Sequence, residues 1–203
     1  MKKIVYVFSA VLLFSLASCV TADRNSNQSV SGSDSKSSAI ENILNRKSVR
    51  KYSDKAVEQD KIDTILKCAM AAPSAMNKQP WEILVVTDKE KLEKIAEIAP
   101  NAGYSKNSQV TMIVCGDKTV SEKFWEQDCC AVTENILLAA EALELGAVWC
   151  AVYPFNEKVN AVKQLFNLPE NIIPLNIIPM GYPFADEEPK QKYNADKVHT
   201  NNW

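Results

Sequence analysis

The chain predicts an α+β fold, strands and helices interleaved in one folded unit over residues 39–203, and two observations carry that expectation. Short β-branched runs alternate with segments whose apolar residues recur at helical spacing, from Ala39 to Met180. The composition, 46% hydrophobic and 24% charged, fits one globular domain, and nothing in the stretch repeats or changes character. A third feature bears on function. Two polar clusters, Arg46-Lys47-Ser48-Val49-Arg50-Lys51-Tyr52 and Pro73-Ser74-Ala75-Met76-Asn77-Lys78-Gln79-Pro80-Trp81, stand either side of a short amphipathic helix.

The elements follow in order. Ala39–Arg46 carries Ile40, Ile43 and Leu44 at helical spacing and delivers the first cluster. Glu58–Ala72 repeats the pattern with Ile62, Ile65, Leu66, Ala69 and Met70, then stops at Pro73, so the second cluster is a loop. Glu82–Thr87 reads as a strand, Lys89–Ala99 as a charged helix and Val110–Cys115 as a second strand. Gln127–Leu145 is the most strongly helical stretch. Its stripe of Cys129, Val132, Ile136, Ala139 and Leu143, widened by Cys130, Leu137 and Leu138, predicts a central helix. Gly146 fits that helix's end, Ala147–Val152 a buried strand and Glu157–Phe166 a short helix. Ile172–Met180 is the last strand, where Pro174 and Pro179 predict an edge position or a bulge. The tail 184–203 lacks periodicity and needs another surface, or another chain, to order it.

The N terminus has the marks of export. Lys2 and Lys3 precede an apolar run from Ile4 to Leu16, and Leu16-Ala17-Ser18-Cys19 resembles a bacterial lipoprotein box. The resemblance implies that residues 1–19 are a signal peptide cleaved before Cys19, with Cys19 acylated and the protein held to a membrane, outside the cytoplasm, by lipid. The polar, serine-rich stretch 20–38 then reads as a flexible tether, because it has little to bury against the entropy of ordering it. The net charge is −2, and without the two N-terminal lysines 21 basic residues face 25 acidic ones, which argues against a nucleic-acid partner. Once Cys19 is set apart, an odd number of cysteines is left, most in apolar segments where they read as small buried hydrophobes. His199, the single histidine, lies in the tail, so neither a metal cluster nor a Ser-His-Asp arrangement has its parts. The five glycines form no Gly-X-Gly-X-X-Gly fingerprint, which disfavours a Rossmann dehydrogenase.

Arg46, Ser48 and Arg50 alternate, so an extended backbone projects two guanidinium groups and a hydroxyl to one side, a geometry suited to a phosphate dianion. Asn77, both donor and acceptor, can pair with a heterocycle edge. These clusters, the order of elements and Met180-Gly181-Tyr182-Pro183 near the end resemble the FMN-dependent nitroreductase family over about residues 40–193. The resemblance implies a three-layer fold, a central mixed β-sheet flanked by helices, and an obligate homodimer with two flavin sites, for which the apolar surface of residues 127–145 is suited.

Carried onto this sequence, the resemblance implies that Arg46, Ser48 and Arg50, with the Lys47 backbone, hold the FMN phosphate or ribityl chain, joined by Ser74 and Asn77. Ala151-Val152-Tyr153 would lie against the flavin ring, with the Tyr153 backbone N–H the donor toward N5, since Pro154 has none. Pro189-Lys190-Gln191-Lys192 resembles a closing element whose two cations reach the same phosphate; Lys192 stands where an arginine is usual, which keeps the charge but not the bidentate fork. Relatives often place a lysine between positions matching 100 and 109, and Lys106 is the nearest candidate. Phe124 and Trp125 precede the central helix, where they either cover the acceptor pocket or join the core.

The implied activity is oxidoreduction. NAD(P)H delivers hydride and is replaced by an electrophilic acceptor such as a nitroaromatic or quinone, in a ping-pong cycle in which the cofactor carries the redox step. Two alternatives stay open: a lipid-anchored flavin- or ligand-binding module without turnover, and a specialised relative acting by flavin fragmentation or dehalogenation.

Overall fold

Two strands that are apolar on both faces organise the protein. A computed structural model describes residues 32–203, of which Ser33–Trp203 form one compact unit. The other unit, Met1–Gly32, lies outside the described residues apart from Gly32, and with it the expected signal segment, Cys19 and the tether as far as residue 31. Strand β1 (Trp81–Val86) pairs antiparallel with β2 (Val110–Asp117), and β2 with β5 (Ile172–Gly181). β5 also takes the two short strands β3 (Gly146–Ala147) and β4 (Cys150–Ala151), both antiparallel. A parallel bridge between Ser48 and Ala147 makes the sheet mixed.

Alternation along the strands builds the layers. Met112, Val114, Ile178 and Met180 face one core with α2 (Gln59–Met70) and α4 (Trp125–Ala142), through Ile62, Ile65, Cys129, Val132 and Ile136. Ile113, Cys115 and Ile177 face the other, with Leu92 and Ile95 of α3 (Lys89–Ile98) and Val159 and Val162 of α5 (Asn156–Phe166). Helix, sheet, helix is the three-layer α+β arrangement expected. With both faces covered, β2 is buried from Val110 to Gly116 and reads as one continuous apolar run.

The structure corrects several local expectations. Helix α1 (Gly32–Asn45) begins seven residues before Ala39, taking in the end of the serine-rich stretch. Once a turn is nucleated, each added Ser or Lys costs well under about 1 kcal/mol. Of the edge position or bulge expected in β5, the bulge is the one found, since β5 lies between β2 and β3. Its proline is absorbed by a bulge, with Val114 opposite Asn176 and Cys115 opposite Pro174, so Leu175 drops out of the ladder. Gly146 does not end α4; Glu144 takes the left-handed conformation at φ 63°. Gly146 is needed further on, where a Cβ would stand 2.5 Å from the Cβ of Val49. The apolar stripe of α4 is largely consumed within the chain. Cys129, Val132, Ile136, Leu137, Ala139 and Ala140 are buried, whereas Ile40, Ile43 and Leu44 of α1 are exposed.

Candidate functional site

The first cluster is built around a buried valine. Val49 points into the core against Gly146 and donates its N–H to Ala147 O at 3.0 Å, so its neighbours on either side must face outward. Tyr52 locks the strip from behind. Its hydroxyl lies 2.8 Å from Val49 O and 2.9 Å from Pro179 O, and burial holds the phenol well above its ordinary pKa. Ser53 N–H donates to Tyr182 O at 2.9 Å and Phe184 N–H to Lys51 O at 3.0 Å, stitching the strip to the segment that leaves β5. From there the tail returns over the cluster. Arg46, Lys47, Ser48, Arg50, Lys190 and Lys192 line one cleft of about 210 Å³ together with Glu187 and Glu188.

Sequence-distant cations and a hydroxyl therefore converge, with five positive charges against two carboxylates on the rim. They are not equally free. Arg46 Nε sits 3.4 Å from Glu134 Oε1, and Lys47 Nζ 3.1 Å from Glu141 Oε1. Among the described residues, no carboxylate is within ion-pairing distance of Arg50, Lys190 or Lys192. Arg50 Nη1 donates to Ser48 O at 3.3 Å and its guanidinium lies 5.9 Å from the Tyr104 ring centroid. Glu134 and Glu141, seven residues apart on α4, were not read from the sequence as members of the site. The signal was present, since a spacing of seven puts both on one helix face.

The second cluster is not part of that cleft. Ser74 precedes and Asn77 closes a single 3₁₀ turn, Ala75–Asn77; Ser74 Oγ accepts from Gln79 N–H at 3.0 Å and Asn77 Oδ1 from Gln79 Nε2 at 2.8 Å. Asn77 is exposed and Met76 is 75% exposed, so the loop presents these side chains outward.

At the third segment the structure differs from expectation. The Tyr153 N–H, assigned as a donor to a ring nitrogen, is already spent: Val152 N and Tyr153 N both donate to Leu175 O, each at 3.0 Å. Carbonyls alternate sides along β5, Met180 O accepting from Gln109 N–H beside β2 and Pro179 O from Val148 N–H beside β3, so Leu175 O, four residues before Pro179, faces the segment that follows β4. What this segment offers is surface. The Tyr153 ring meets Trp125 edge-on, centroids 5.0 Å apart, and lines an open cleft of about 570 Å³ with Lys118, Thr119, Gln127 and Asn171. Ala151 O accepts from Asn101 Nδ2 at 2.9 Å. Trp125 is buried over Gly116 and Phe124 is 43% exposed. Lys106 lines a different cleft with Lys89, Glu93 and Glu97; Asn101 and Tyr104 are the residues of its segment that touch Ala151 and Arg50.

The five described cysteines are free thiols. Burial pushes Cys115 up to about 12 and Cys150 up to about 11, the latter against the opposing pull of Arg50, so both are protonated and unreactive.

Comparison with known proteins agrees with this architecture. The sequence profile of the nitroreductase family matches residues 43–127 and 111–182, and the chain belongs to that family. A Methanothermobacter thermautotrophicus protein named "Putative NADH dehydrogenase/NAD(P)H nitroreductase" is 42% identical over 176 residues, 86% of this chain and 92% of its own. A Parabacteroides distasonis crystal structure of the same name superposes with a TM-score of 0.80 at 48% identity, covering 82% of this chain and 99% of that one. The FMN-dependent nitroreductase of Clostridium difficile R20291 gives 0.77 at 29% identity, covering 81% and 99%.

Proposed function

We propose that this nitroreductase-family chain is an FMN-dependent NAD(P)H oxidoreductase that reduces nitroaromatic, quinone or similar electrophilic acceptors as a homodimer. One observation carries the reading: Arg46, Ser48, Arg50, Lys190 and Lys192, from opposite ends of the domain, line a single cleft. The donor set fits a phosphate monoester. A hydroxyl and unpaired cations outnumber the rim carboxylates, and Arg50 and the two tail lysines supply charge that no internal partner takes up.

FMN, when bound, supplies the hydride chemistry. Arg50, Lys190 and Lys192 would hold its phosphate, with Ser48 Oγ available to donate to a phosphate oxygen, and the Ala151–Tyr153 strip would face its ring system. Tyr153 and Trp125 would shield it from water on the side of the open cleft, through which donor and acceptor would enter in turn. The exposed Ile40, Ile43 and Leu44 of α1, with Phe184, Tyr193 and Trp203 of the tail, are the apolar surface a second copy would bury. Cys19 acylation would place the enzyme on a membrane outside the cytoplasm, where NAD(P)H or another electron source would serve as donor.

Colour and anaerobic reduction are the test. A yellow protein bleached by NADH or NADPH and reoxidised by a nitroaromatic is the expected result, with parallel double-reciprocal plots. Yellow protein that no nicotinamide donor reduces would make it a binding module, and colourless protein that refuses added FMN would sink the reading. Light scattering of the soluble form should give twice the monomer mass; a flavin-loaded monomer would contradict the dimer.

A further inference from the structure

We propose that Asp128 is a positioning residue that holds the Ser74–Gln79 loop in its left-handed geometry and so sets where Ser74 and Asn77 are presented. Its consequence for the cofactor rests on the proposed reading of those two residues as FMN contacts.

The loop adopts a conformation its sequence does not favour. Met76 and Asn77 have φ 54° and Gln79 φ 49°, and none is glycine. L-residues are strained there, asparagine least. Apolar burial does not compensate: Met76, Asn77, Lys78 and Gln79 are all exposed. The bonds at Ser74 Oγ and Asn77 Oδ1 are internal and would travel with the loop wherever it moved. Among the described residues, one hydrogen bond reaches residues 74–79 from outside, Ala75 N–H to Asp128 Oδ1 at 2.9 Å.

Asp128 is otherwise hard to account for. Its side chain sits in the first turn of α4, and the residue is 6% exposed, with Oδ2 lacking any partner among the described residues. A buried carboxylate half-satisfied in this way costs stability, and an apolar residue would pack there at less expense. The positive end of the α4 dipole makes the charge tolerable, but only the Ala75 N–H gives it a task.

The test is amide hydrogen exchange on the apo-protein, read residue by residue, with three variants. Asp128→Ala removes the acceptor. Asp128→Asn keeps an oxygen in the same place. Ala75→Pro removes the donor while leaving α4 intact; Ser74 is extended at φ −140°, ψ 154°, which suits the residue before a proline, and Ala75 opens the turn, where proline is accepted. We expect Asp128→Ala and Ala75→Pro to speed exchange of residues 76–79 by about tenfold or more, as loss of a charge-assisted bond implies, with α4 and β2 amides unchanged and Asp128→Asn close to wild type. If the loop amides do not respond, or loop and core loosen together in Ala75→Pro, Asp128 is not the anchor. If the loop loosens as expected while FMN affinity is unaltered, the anchoring stands and Ser74 and Asn77 leave the cofactor site.

Discussion

Arg50→Glu isolates the electrostatic part of the proposed phosphate site. The side chain is exposed and its contacts are few, the Ser48 carbonyl at 3.3 Å and the Tyr104 ring with its centroid 5.9 Å from the guanidinium, so the fold loses little. The substitution moves the local charge by about two units opposite a phosphate of about two negative charges; at about 1 kcal/mol per pair at 4 Å in water that is about 4 kcal/mol. Screening over a Debye length of about 8 Å brings it to about 2–2.5 kcal/mol, a weakening of FMN binding by roughly 30- to 70-fold. Titration of apo-protein with FMN, followed by flavin fluorescence quenching, measures this directly. Circular dichroism and thermal melting of the apo-protein should match wild type. Raising the salt concentration should shrink the difference, because the term is a screened Coulomb one. Unaltered affinity would refute the phosphate assignment, and loss of affinity accompanied by unfolding would show that Arg50 is structural instead.

Further expectations follow from the same contacts. Glu134→Gln frees Arg46 from a 3.4 Å pair whose side chains are 17% and 48% exposed; such a pair is worth about 0.2–1 kcal/mol, so FMN should bind up to about fivefold more tightly, and weaker binding would mean Glu134 orients Arg46 rather than competing for it. Gly146→Ala forces a Cβ to within 2.5 Å of Val49; overpacking of this kind costs about 1–3 kcal/mol, roughly 2–4 °C of Tm per kcal/mol in a chain of this size. Gly146→Ala should cost much less in a Val49→Gly background, where the Cβ that the new methyl meets is gone, and an unchanged cost there contradicts the packing argument. Glu58 is held below its ordinary 4.5, first by the Tyr182 hydroxyl donating at 2.7 Å and then by its own backbone, with Lys55 adding a smaller pull. A depressed folded pKa means its contribution is complete above about 4.5 and is lost as pH falls through the folded value. The Tm gap between wild type and Glu58→Gln should therefore close on acidification; a gap that widens would reverse the assigned sign.

What the sequence discloses and what it hides divide along the distance between interacting residues. The buried face of α2 at Ile62, Ile65 and Ala69, the stop after Met70 ahead of Pro73 and the outward alternation of Arg46, Ser48 and Arg50 depend on neighbours within a turn or two, and these are as expected. Gly146 looked like a helix end because that role is local; its real constraint is Val49, almost a hundred positions away, and no periodicity reports a contact of that kind. The Tyr153 donor shows how such errors propagate. Pro174 predicts an edge strand or a bulge, and both answers satisfy its missing N–H. Because β5 lies between β2 and the short strands β3 and β4, only the bulge is open to it. Leu175 stands at that bulge, and because carbonyls alternate along β5 its oxygen faces the β4 side, where the N–H groups of Val152 and Tyr153 meet it. A carbonyl twenty-two residues downstream thus decides whether a backbone donor faces a ligand or the sheet, and that decision is made by strand register before any property of tyrosine enters.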